Sequence, residues 1–212
     1  MKNLVFIVLL SNALLAQTVE VNDTDFSKGK LGHLQTIELN DIAKFHGHLC
    51  DGLAEGFLAL EYGLKQLYPN GAIDRTNTRI VGKSSPCLTD AAIYITGGRM
   101  QYNTFYVDNS IDGMYILQKI DSKKSFLIKR KSHVKPAIID ELGNKAIHQE
   151  LDECELEKLK ELEDNYTKFL LRSNPEDLFE VMALTDWDWN PKYETYIKTD
   201  IINKNKTNCN QK

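Results

Sequence analysis

The 212-residue chain lacks several features that would have settled its class at once. No Cys-x-x-Cys pair occurs, which excludes a thioredoxin-type motif and a four-thiolate zinc module. No basic stripe with interleaved aromatics occurs either, and the formal net charge is −4 at a pI near 5.8. Nucleic acid is therefore not an expected partner. No internal repeat is visible. The hydrophobic content of 42% and charged content of 26% exclude global disorder and fit one globular domain with some decoration.

One apolar run stands out, at the N-terminus. "MKNLVFIVLLSNALLAQ" has Lys2, an apolar stretch from Leu4 to Leu10, and small residues at Ala13 and Ala16. This is the layout of a secretory signal peptide over residues 1–16, cut between Ala16 and Gln17. Leu14 is a poor match to the small-x-small rule, and a retained anchor is the alternative. The stretch is too short for a comfortable membrane span. The expectation is an exported, periplasmic protein with no stable span after cleavage.

Four cysteines would then meet an oxidising compartment: Cys50, Cys87, Cys154 and Cys209. Cys154 and Cys209 read as a disulfide or as idle thiols. Cys50 and Cys87 have more specific surroundings. "KFHGHLCDGLAEGF" sets His46, His48 and Cys50 at alternate positions, with Gly47 freeing the backbone between the histidines. On a helix, residues two apart point nearly opposite ways. An extended segment feeding a helix start would gather all three on one side.

That helix is expected from Asp51 to Tyr68. Leu53, Phe57, Leu60, Leu64 and Leu67 form one apolar stripe, and Gly52, Gly56, Ala59 and Gly63 form a second of small residues. The small stripe implies tight packing more readily than cofactor contact. "SSPCLTDAAIYITGG" offers Ser85 as a cap, Pro86 in the first turn and Gly97 as a stop, which puts Cys87 at another helix start. Helix N-termini favour thiolates. Two thiols and two imidazoles suit zinc, with iron or copper also compatible. A buried structural cluster and a Cys–His nucleophile (Cys50 with His48) stay open beside the metal reading. Asp90, one turn after Cys87, could orient a histidine.

Around these motifs the pattern is plainer. Residues 17–37 form an irregular lead-in, and Asn40 or Asp41 caps a short helix. "NTRIVGK" is a strand, and Asn103–Val107, Met114–Ile120 and Ser125–Arg130 are three antiparallel strands. Residues 145–171 read as one long charged helix, and "SNPEDLFEVMAL" begins another. The charged run from Glu150 to Asp164 reads as a solvated face. Trp187 and Trp189 cover a core edge, and residues 184–212 form an extension with a disordered tail. His33, His133 and His148 are expected to be exposed, with His133 the reserve ligand. The fold class is α+β: a helix–strand–helix–three-strand core with a mixed or antiparallel sheet, plus C-terminal helices.

"FHGHLCDGLAEGF" closely resembles the signature of the E-subunit domain family of formylmethanofuran dehydrogenase. "CLTDAAIYITGG" looks like that family's second motif, and "NPEDLFEV" resembles its closing segment. The resemblance covers about residues 38–183. It implies the same α+β core, pairing into homodimers, and a metal-binding cleft formed by His46, His48, Cys50 and Cys87. Asp51 stands where the family usually has proline, and the zinc ribbon of many relatives is absent. The family takes its name from a cytoplasmic enzyme complex, whereas this chain looks exported. The resemblance therefore does not carry the formylmethanofuran reaction. A divalent-metal protein with a periplasmic redox partner is the expectation, with a metal-dependent enzyme as the alternative.

Overall fold

The computed structural model describes residues 17–209, so the signal-like segment lies outside the described residues. The chain opens with a hairpin, β1 (Thr18–Thr24) and β2 (Leu31–Glu38), not the irregular lead-in expected for residues 17–37. Val19, Val21 and Ile37 explain the difference: they alternate with polar residues and are buried. Strand β3 (Ile73–Asp74) adds in parallel to β1, giving a small sheet of order β2-β1-β3.

Helix α1 (Leu39–His46) starts two or three residues earlier than the Asn40 or Asp41 cap implied. The Glu38 backbone N–H donates to Asp41 Oδ2 at 3.0 Å, so Asp41 serves from the third helical position. Helix α2 (Asp51–Leu67) is the hub of the molecule. All five residues of its apolar stripe are buried. At roughly 1.5–3 kcal/mol per fully buried large apolar side chain, this stripe is a major source of cohesion. The small stripe is packing space: a Cβ on Gly63 would collide with Ile128, and one on Gly56 would sit 2.9 Å from the Tyr115 hydroxyl.

The main sheet has the order β5-β4-β6-β7-β8, from β4 (Thr78–Gly82), β5 (Phe105–Val107), β6 (Tyr115–Lys119), β7 (Ser125–Arg130) and β8 (Phe179–Leu184). Helix α3 (Pro86–Thr96) connects β4 to β5. Together with α2 and β4, these elements make the expected helix–strand–helix–three-strand α+β core. The sheet is mixed, one of the two arrangements expected, and the three later strands are not all neighbours. Strand β5 pairs in parallel with β4, while β6 and β7 pair antiparallel on β4's other side. The helical crossover from β4 to β5 permits this arrangement.

Two expectations for the regular elements of the C-terminal half fail. The helix expected over residues 145–171 is two helices, α4 (Ala137–Ile147) and α5 (Glu153–Leu170). Gln149 in a left-handed conformation ends the first, and Asp152, accepting from the Cys154 and Glu155 N–H groups, caps the second. The second failure is "SNPEDLFEVMAL". Its helix α6 (Pro175–Leu178) lasts one turn before the chain extends as β8 along β7. Phe179 and Val181 fit a pleated surface, and pairing satisfies the open edge of β7.

Among the described residues, no α-helix or strand follows β8, but the extension is held down. Trp189 packs edge-on against Tyr106 at 4.7 Å and donates to Asn103 at 2.8 Å, with Trp187 beside it over a satellite core. A disulfide joins Cys154 in the first turn of α5 to Cys209. Asn203 and Lys206 donate to the carbonyls of Ala146 and Leu151. The described part of the tail is therefore ordered, contrary to expectation. Among the described residues, no helix is long and apolar enough to cross a membrane.

Candidate metal centre

The sequence motif folds into a sharp corner. His46 is the last residue of α1, and Gly47 at φ 111° ends that helix in a left-handed conformation. The chain then bends through His48 and reaches Cys50, the extended N-cap of α2. An extended approach therefore covers only part of the motif, because His46 comes from a helix end. Gly47 turns the chain so that the alternate residues still converge. Donor atoms of His46, His48 and Cys50 lie within 4.8 Å of one another, a grouping that could hold a metal ion.

Cys87 enters from the first turn of α3. Ser85 caps that helix by accepting from the Leu88 N–H at 3.3 Å, and Pro86 occupies the first position. The Cys87 sulfur lies 3.4 Å from that of Cys50 and 3.7 Å from His46 Nε2. Both cysteines are free thiols. The approach depends on Gly52, where a Cβ would sit 3.1 Å from Cys87 Sγ. Two helix N-termini thus present one sulfur each to a shared point, together with one buried and one exposed imidazole.

His46 is oriented from behind. Its Nδ1 lies 2.8 Å from Asp90 Oδ2, and its side chain is fully buried. Asp90 thereby fixes Nδ1 as the protonated nitrogen and leaves the Nε2 lone pair facing the two sulfurs. Asp90 also lines a cavity of about 240 Å³ with Ser85, Thr89, Tyr196 and Lys198.

The electrostatics of the two thiols are shared. Hydrogen bonding from Cys87 lowers Cys50 to about 6, burial opposes this, and the Leu53 N–H assists. Cys87, holding the shared proton, is pushed up. One thiolate and one thiol is the metal-free state that this geometry favours. Asp51 also acts to raise Cys50, and it forms an ion pair with Lys135 at 3.3 Å.

Two neighbours were not legible in the sequence. Lys135 lies between Asp51 and Asp140, at 3.3 Å and 3.0 Å, and these acids raise it against the effect of burial. Glu163 on α5 is raised to about 7, mainly by burial and then by Asp51, with Cys50 adding to the effect. Beneath them Glu55 is held by Arg130 at 3.1 Å and by the Tyr166 hydroxyl at 3.0 Å. No local pattern marks residues so distant in the chain as neighbours of Asp51. His33, His133 and His148 are exposed, and His133 does not belong to the His46–His48–Cys50 group.

An α+β domain with a His/Cys cluster at the meeting of two helix starts defines the class. Residues 45–180, more than half of the chain, match the family described as "FmdE, Molybdenum formylmethanofuran dehydrogenase operon". The chain belongs to this family. No curated protein matches it.

Proposed function

We propose that this chain is an exported metal-binding protein in which His46, His48, Cys50 and Cys87 hold one divalent ion. The observation that carries this reading is the convergence of His46 Nε2 and the Cys50 and Cys87 sulfurs within 4.0 Å of one another, with Asp90 behind the histidine. A mixed nitrogen and thiolate set suits zinc best, and iron or copper by the same ligand softness. Such an ion supplies Lewis acidity. The chain's part is to hold the imidazole tautomer through Asp90 and to keep two sulfurs at one point through Gly52.

The signal-like N-terminus supports export, and the Cys154–Cys209 disulfide supports an oxidising compartment. The role we assign is accessory to a periplasmic redox system, with the chain acting as a homodimer as the family resemblance implies. A metal-dependent enzyme is the alternative, favoured by the cavity that shares Asp90. A metal-free Cys–His nucleophile, Cys50 with His48, is the third reading; it requires selective alkylation of Cys50 at mildly acidic pH.

Cobalt titration tests the site directly. Binding at His46, His48, Cys50 and Cys87 gives intense thiolate-to-cobalt charge-transfer absorption that saturates at one equivalent. Cobalt spectra without a thiolate band would overturn the assignment. Sedimentation of the purified protein tests the dimer, and a monomer at micromolar concentration would remove it.

A further inference from the structure

We propose that Cys50 and Cys87 are a reversible dithiol–disulfide pair, so that the same corner carries a metal-independent thiol–disulfide exchange activity. The geometry is already close to that of a bond. The two sulfurs are 3.4 Å apart, and a disulfide needs ~2.05 Å. Closure thus requires a movement of roughly 1.4 Å, within reach of side-chain rotation at two helix starts. Gly52 keeps the path clear, because a Cβ there would press on both Cys87 Cβ and Sγ at 3.1 Å. Both residues are half-buried rather than enclosed.

The exchange runs in two steps. One cysteine thiolate attacks a low-molecular-weight disulfide, forming a mixed disulfide and releasing one thiol. The second cysteine then attacks the protein-bound sulfur, forming the Cys50–Cys87 bond and releasing the second thiol. Two electrons pass from the cysteine pair to the external disulfide; the one remaining cysteine proton goes to one released thiol, and the other takes its proton from solvent. Closure also consumes both sulfurs offered to a metal, so disulfide and metal would exclude each other. The exchange itself does not depend on the metal reading.

The experiment uses the full chain in chelator, exposed to increasing oxidised glutathione and followed by intact mass and thiol count. We expect two thiols to disappear together with no retained glutathione. Cys50→Ser and Cys87→Ser variants should each keep one stable glutathione adduct, because the resolving sulfur is gone. Dithiothreitol should restore both thiols in the wild type. A wild-type protein that accumulates the adduct would overturn the proposal. So would one whose two thiols persist at a hundredfold excess of oxidised glutathione but react once unfolded in urea.

Discussion

Cys154 and Cys209 are 55 residues apart in sequence and bonded at the periphery, where they tie an extension without regular structure to the start of α5. Cys50 and Cys87 are 37 residues apart and stand as free thiols 3.4 Å from each other, between two helices anchored in the main core. The first pair adds a covalent tie to a segment otherwise held by side-chain contacts. The second is itself held: buried Leu53, Phe57, Ala91 and Ala92 anchor α2 and α3, and a glycine contact sets their approach. A covalent pair can supply position, whereas a reactive pair needs position supplied to it.

This contrast can be broken by removing either pair. Cys154→Ser with Cys209→Ser should lower unfolding free energy by about 4 kcal/mol in urea titrations, for a loop of this length. Cobalt binding at the corner should be unchanged. Loss of the metal along with the disulfide would show that the two regions are coupled and would defeat the contrast.

A smaller effect sharpens it. Asp90→Asn keeps the shape of the side chain but weakens its hold on His46 Nδ1. Metal affinity should fall about tenfold to a hundredfold in competition with a chromophoric chelator. Unchanged affinity would mean that packing alone orients the imidazole.

The smallest effect concerns Glu163, whose carboxyl is raised to about 7 from 4.5 by burial, with Asp51, Cys50 and Asp164 adding and Lys135 opposing. Between those values the folded chain binds a proton that the unfolded chain has released. The stability held by the protonated group is thus full below about 4.5 and lost as pH rises through about 7. In chelator-treated protein, Glu163→Gln should be more stable than wild type at pH 8 by about 1 kcal/mol, allowing for partial exposure. Near pH 4 the two should coincide. An equal difference at both pH values would assign the effect to packing rather than to protonation.

Local pattern carried much of this fold. The Leu53-to-Leu67 stripe defined α2, and Ser85, Pro86 and Gly97 bracketed α3, because caps and periodicity act within a few residues. What failed depended on distant partners. Strand β8 exists because β7 offers it an edge, and the β1–β2 hairpin buries Val21 and Ile37 that looked like a polar lead-in. In the site, His46, His48 and Cys50 were legible as neighbours, and Cys87 was legible by its matching place at a helix start. Lys135 and Glu163 were not, since only the tertiary fold brings α5 and the loop before α4 over Asp51.

Elemental analysis tests the central claim most directly. The protein would be purified without chelator or added metal, beside the Cys50→Ala, Cys87→Ala double variant. The account predicts close to one equivalent of a transition metal in the wild type and almost none in the variant. Equal metal in both, or none in a wild type whose Cys50 and Cys87 are shown to be reduced, would contradict it.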